Sequence, residues 1–284
     1  MANVASPYGF QPVQMIANRP VGGALPTTTY RIKQNYAGVI PYGSPVVLST
    51  ATTYTSGNAV TVTYSGQTVT LTFTTAVAGL YAGMPVTVSG VTGATAVNGT
   101  WTLLTGSAGT VFTYTVTNGT ITGTVGGTAA VVGGAGFIQL PTNGTFNSLA
   151  DNYIGIFVGA YYLNPFNNNQ PQWDQWYPGS VNAAGMYARV VDDPQAVFKV
   201  QAASYNFDAL ANVGNSYGFT VPATPYNVGS KDSTISLTTG TATSTTSPFK
   251  IVQISQDPND TNATGYVDCY VMANIGAHVL NRAQ

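Results

Sequence analysis

The 284-residue chain carries eight Lys and Arg against nine Asp and no Glu, a net charge of −1, with only 6% of residues charged against roughly a quarter in an average soluble protein. So few and scattered cations form no phosphate-binding stripe, which argues against nucleic acid as a partner, and no apolar run reaches the ~18 residues of a membrane helix. One His and one Cys leave too few ligands for a zinc centre and no internal disulfide, whereas 44% apolar residues, with 18 Tyr and 11 Phe, supply ample core material.

The opening stretch, MANVASPYGFQPVQ, has neither a basic region nor an apolar run of the kind a secretory signal needs, so the chain is expected to be made in a cytosol. Pro7, Pro12 and Pro20 predict an extended N-terminal arm over residues 1–20. Strands are expected at 28–33 and 44–49. From Gln34 to Ala150 there is then no Asp, Glu, Lys, Arg or His.

Within that uncharged stretch, apolar residues alternate with Thr at 60–64, 69–73, 86–88, 101–103, 112–116 and 121–125. Period-2 alternation sets the apolar residues on one face and Thr on the other, a pattern that suits half-exposed strands. Asn118-Gly119 carries the signature of a two-residue type I′ hairpin. The register this turn sets places Val116 opposite Ile121, Phe112 opposite Val125 and Gly123 opposite Tyr114. Six short strands predict an Ig-like β-sandwich over 54–133.

SPVVLST (44–50) and GFIQL (136–140) read as two strands of one domain separated by this module. The expected organisation is therefore a mainly β chain. Residues 1–53 plus 134–284 form a β-rich, barrel- or sandwich-like host domain, and 54–133 is inserted into it. Further host strands are expected at 153–162, 186–192, 196–202, 249–256 and 266–273. Residues 206–213, with Asn206 as N-cap and Gly214 closing, read as one short helix, and 237–247 as a low-complexity loop.

The search for chemistry is largely negative. His278 would have to serve any Ser-His-Asp triad, yet it lies near the C-terminus and reads as a terminal polar residue. Cys269, in YVDCYVMA, alternates with Val267 and Val271 and reads as a buried structural thiol. Asp192-Asp193-Pro194 reads as a turn between strands. Residues 257–268, DPNDTNATGYVD, resemble a calcium loop but lack its central Gly and a closing Glu, so a solvated hairpin is expected. Trp173, Trp176 and Tyr177 in QPQWDQWYPG are large flat rings that suit either sugar stacking or interface packing, and their spacing implies a turn. The sequons at Asn98, Asn118, Asn143 and Asn262 carry little meaning without a secretory signal. No catalytic residue, cofactor site or metal site is nominated.

Several segments together resemble the head decoration (cement) proteins of tailed bacteriophages. They are SPYGF with the following proline, YRIKQNYAGVIPYGSPVVL (30–48), IGIFVGAYYLNP with QPQWDQWYPG (154–179), ARVVDDPQAVFKVQA (188–202), and FKIVQISQDPND with YVDCYVMANIGAHVL (249–280). VSGVTGATAVNGTWTLL and FTYTVTNGTITG resemble small Ig-like repeats inserted in phage virion proteins. The resemblance implies a structural virion protein on the capsid exterior. Such a protein binds and stabilises the shell of major capsid protein as a homotrimer, with a projecting Ig-like domain and an arm that orders against the shell. The residues leave two alternatives open. One is a tail- or fibre-associated module that recognises host surface glycans; the other is a β-rich depolymerase-like enzyme.

Overall fold

The computed structural model describes residues 7–15, 26–33, 36–49, 52–55, 60–73, 85–91, 94–104, 110–117, 124–127, 130–133, 136–141, 144–146, 153–164, 167–181, 183, 185–205, 212–238, 247–255 and 266–274. The fold is mainly β, as the composition predicts; the one helical element among the described residues is the 3-10 turn Thr95–Val97. The chain divides into two compact units, Met1–Leu48 with Ile138–Gln284, and Ser49–Phe137. Strands are numbered here in chain order.

The first unit is built on a small closed barrel. Strands β2 (Thr28–Ile32), β3 (Ser44–Leu48), β12 (Phe137–Gln139), β14 (Tyr153–Asn164) and β16 (Tyr187–Val191) pair in the order β14–β16–β2–β12–β3. β3 pairs back onto β14, closing these five strands on themselves. The first half of β14 is almost wholly buried, so YIGIFV reads as a continuous apolar run and does not alternate. Gly155 sits where the register of β14 shifts, and a Cβ there would lie 2.4 Å from the Val191 carbonyl oxygen. The second half of β14 alternates, with Ala160 and Tyr162 inward and Tyr161 and Leu163 outward, and there β15 (Gln170–Asp174) pairs along it as an edge strand.

A second sheet shares the barrel's core. Its order is β13 (Gly144–Phe146), β19 (Phe219–Val221), β20 (Ser236–Leu237), β17 (Ala196–Tyr205), β22 (Tyr266–Ala273), β21 (Phe249–Ile254) and β18 (Ser216–Tyr217). β22 buries Val267, Cys269, Val271 and Ala273 on one face, the alternation its sequence shows. One continuous cluster runs from Ile154 and Phe157 of the barrel to Phe198, Phe219 and Phe249 of the sheet.

The extended N-terminal arm expected over 1–20 is, at residues 7–15, ordered against the chain's own host unit. β1 (Gln11–Met15) pairs antiparallel with β17, Gln11 opposite Lys199 and Met15 opposite Ala196. Phe10 is fully buried, stacks on Phe249 with centroids 4.4 Å apart, and donates its N–H to the Gly43 carbonyl at 2.8 Å. Prolines keep a segment from nucleating structure by itself, but an edge strand needs only a partner, and β17 supplies one. The rest of the proposed arm lies outside the described residues. So does most of the expected helix: 206–211 are not described, and 212–214 form a turn.

The second unit is a two-layer antiparallel sandwich. One sheet runs β10 (Thr124–Gly127), β5 (Val60–Ser65), β6 (Thr68–Thr72), β9 (Val111–Thr115); the other runs β4 (Thr52–Thr55), β11 (Ala130–Gly133), β7 (Pro85–Ser89), β8 (Gly99–Thr102). β4 crosses the composition boundary at 53/54, β11 ends at the one at 133/134, and Ser49 and Phe137 bond to each other beyond them, so the unit extends a few residues further at each end.

The alternation places the core correctly: Val62, Val69, Leu71, Val86, Val88, Phe112, Tyr114 and Val116 are all buried. The hairpin drawn at Asn118-Gly119 is overturned. Phe112 faces Leu71 and Tyr114 faces Val69 on β6, while Val125 faces Val62 on β5. β9 and β10 therefore form opposite edges of one sheet, and residues 118–123 lie outside the described set.

Candidate functional site

The three rings of QPQWDQWYPG do not form a common platform. Trp173 ends an outward row on β15 and is 62% exposed. Trp176 lies past the strand end, with the Lys231 ammonium 5.5 Å from its ring centroid and also 5.3 Å from that of Tyr226. Tyr177 is fully buried. It exchanges backbone hydrogen bonds with Ile40, and its hydroxyl donates to the Tyr36 carbonyl at 3.0 Å. The spacing correctly implies a turn after the strand, and that turn sends the rings to three separate places.

The acidic candidates have structural partners. Asp192 accepts from the Tyr30 hydroxyl at 2.6 Å and the Thr28 hydroxyl at 2.9 Å, tying β2 to the turn after β16. Asp193 accepts from the Gln195 N–H at 2.8 Å, so the Asp192-Asp193-Pro194 turn forms as read. Asp268, the last residue of the calcium-like segment, stands on β22 with the Lys199 ammonium 2.7 Å away; residues 257–265 are outside the described set. Cys269 is buried and takes part in no disulfide, as its alternation predicts. Asn98 spends its amide on the Val91 N–H and carbonyl, whereas Asn118, Asn143, Asn262 and His278 are outside the described residues. Among the described residues no three of His, Cys, Asp and Glu come together to hold a metal, and no helix is long and apolar enough to cross a membrane.

What the barrel does assemble is a row across four strands. Trp173 of β15 stands opposite Tyr161 of β14, Tyr161 opposite Tyr187 of β16, and Tyr187 opposite Arg31 of β2. Directly opposed residues on a sheet point to the same side, so these four side chains share one outward face. The Tyr161 and Trp173 ring centroids are 4.4 Å apart at 41°, and Tyr161 and Tyr187 are 6.4 Å apart at 28°. Because β15 is an edge strand, no further strand among the described residues covers the outer side of Trp173.

The adjoining row on that face is Gly159, Arg189 and Thr29. Arg189 directs Nε and Nη2 to the Thr27 hydroxyl at 3.2 and 3.0 Å, while Arg31 is exposed and makes no ion pair among the described residues. Neither row contains a carboxylate, so the face is aromatic and positive.

The inner side of the same strands is polar at its far end. The Tyr162 hydroxyl and Gln172 Nε2 both donate to Asp174 Oδ2, at 2.8 and 2.7 Å, and Asn164 donates to Gln172. Burial, reinforced by the Asp174 bond and charge, holds the Tyr162 hydroxyl well above its usual pKa. This network locks β15 onto β14 and thereby fixes Trp173 against Tyr161.

Of the row, sequence reading found only Trp173. Tyr161, Tyr187 and Arg31 belong to strands far apart in the chain, and only their pairing register brings them together. The architecture is thus a mainly β chain of barrel, adjoining sheet and inserted sandwich. No family model, no curated protein and no solved structure matches it.

Proposed function

We propose that the chain is a structural virion protein that decorates the outside of a bacteriophage capsid and stabilises it, binding the major capsid protein through its barrel unit. The observation that carries this reading is where the family-like segments fall. They supply β2, β3, β14, β15, β16, β17, β21 and β22, the framework of a single body with one continuous core. The anchoring Phe10 of the SPYGF stretch packs into that same core.

The inserted sandwich is an accessory in this reading. It enters and leaves between β3 and β12, two neighbouring strands with Leu48 opposite Ile138, so it can be carried without interrupting the barrel. A decoration protein acts through many equivalent weak contacts, and self-association as a trimer would multiply them without any single strong site. Copy number tests this. Quantitative mass spectrometry of purified particles is expected to find the chain in amounts comparable to the major shell protein. A handful of copies per particle would instead assign it to the tail.

A further inference from the structure

We infer that the outward face of β15, β14, β16 and β2 is a binding site for an anionic oligosaccharide, with Trp173 and Tyr161 as the stacking end and Arg31 as the anion-binding end. The site goes beyond the decoration reading and does not depend on it, since it uses only the barrel's own strands.

The register makes it. Trp173, Tyr161, Tyr187 and Arg31 stand directly opposed on four successive strands. With neighbouring strands ~4.8 Å apart, the row from Trp173 to Arg31 spans about 14 Å, the reach of a short oligosaccharide. Among the described residues Trp173 is the one aromatic ring among the large exposed apolar side chains, and no strand covers its outer side. The ring is nonetheless held in place: Tyr161 packs against it at 4.4 Å, and the Tyr162–Asp174–Gln172 network on the other side of the strands fixes β15. A rigid exposed ring loses little conformational entropy on binding, which separates a recognition surface from a chance exposed residue.

The chemistry then selects the ligand class. The C–H face of a pyranose is apolar with slightly positive hydrogens, a match for the negative face of an aromatic ring. Its hydroxyls stay in water or take polar groups at the rim. At the other end of the row Arg31, which makes no ion pair among the described residues, offers a planar fork of donors suited to a carboxylate or phosphate. Arg189 adds a second positive charge in the adjoining row, and no carboxylate stands in either row to oppose it. In a chain with eight cations in all, two on one aromatic face favour an acidic sugar over a neutral one.

The test uses the full chain on an array of neutral and acidic bacterial oligosaccharides, uronate- and phosphate-bearing ones included, followed by titration of the best ligand. Binding is expected to favour acidic members and to weaken with salt. Trp173→Ala is expected to weaken it about tenfold, with Trp173→Tyr restoring most of the loss. Arg31→Gln is expected to weaken it by about tenfold as well and to flatten the salt dependence, while leaving neutral sugars unchanged. Both positions are exposed, so unchanged melting temperatures would show that the variants fold. Three results would each overturn the site: no binding anywhere on the array, binding indifferent to both substitutions, or substitutions that alter self-association or shell binding but not sugar binding. The last would reassign the face to a protein interface.

Discussion

Tyr114 donates its hydroxyl to the Val97 carbonyl oxygen at 3.0 Å, from a position with no solvent exposure. The same carbonyl accepts the Trp101 indole N–H at 2.9 Å, and the two rings stack 5.7 Å apart at 15°. One backbone oxygen at the end of the 3-10 turn thus gathers two of the large rings of the sandwich core.

Tyr114→Phe removes one of two donors from that carbonyl, which the Trp101 indole N–H still occupies. The expected cost is therefore small, about 1 kcal/mol, the net value of one hydrogen bond. Trp101→Ala removes a donor and the stacked ring together and is expected to cost about 3 kcal/mol or more. Urea unfolding of the full chain, followed by tryptophan or tyrosine fluorescence, would distinguish the two. Equal losses would mean that the shared carbonyl does not organise the core.

The N-terminal strap gives the second prediction. Gly9 has φ of +76°, and a Cβ there would meet Ser233 Cβ at 2.5 Å and the Gly43 carbonyl oxygen at 2.9 Å. Both contacts involve atoms fixed by the fold. Gly9→Ala is expected to cost about 2–4 kcal/mol, from the left-handed backbone and the overlap combined. Phe10→Ala, which empties the stack on Phe249, is expected to cost about 3–5 kcal/mol. Thermal melts of both variants against wild type would decide it; a loss below about 1 kcal/mol would mean that the strap is not part of the core.

How far the sequence carries can be judged from these residues. Alternation places Phe112, Tyr114 and Val116 in the core because inside and outside depend only on local period. It fails on which strand faces which. Asn118-Gly119 is a local turn signal, yet β9 pairs with β6 and β10 with β5, a choice settled by packing the whole sandwich. The same limit hides the aromatic row. Trp173 stands out as a flat ring, but nothing in the chain near it names Tyr187 or Arg31 as its companions. Phe10 was hidden for another reason: a proline-rich flank reads as an arm until β17 is seen to offer an edge.

Asp192 links three elements, and removing its two donors gives the third prediction. Its carboxylate accepts from Tyr30 and Thr28 of β2 at the junction where β16 turns into β17. Tyr30→Phe removes a donor to a charged group, which is expected to cost about 1.5–3 kcal/mol; the low end is favoured because Thr28 remains. Thr28→Val together with Tyr30→Phe leaves the carboxylate without either donor, and the pair is expected to cost more than the sum of the single changes. A double-mutant cycle read by urea unfolding would show strict additivity if the two bonds act independently.

The two units should respond to pH in different ranges. From residue 34 to 150 there is no Asp, Glu, Lys, Arg or His, so no such group in the sandwich can exchange protons between folded and unfolded states from pH 4 to 9, and its melting should be flat there. The barrel unit carries tyrosines whose folded pKa is raised. Burial is the main cause for Tyr153 and Tyr30, with the Asp192 charge adding to both. Burial also pushes Tyr177 from 10.0 to about 12, against a lowering by the Val181 N–H and with a smaller rise from Tyr36. A raised folded pKa means that the folded state holds its proton after the unfolded chain has lost it. The stabilising contribution is complete below about pH 10 and falls as pH rises toward the folded value, by about 2 kcal/mol for Tyr177 alone by pH 12. Calorimetry across this range should find the barrel transition steady up to about pH 10 and dropping steeply above it. Ultraviolet titration should find these tyrosinates appearing together with unfolding. Ionisation of all the tyrosines near pH 10 in a chain that keeps its circular dichroism would contradict the burial that the barrel imposes.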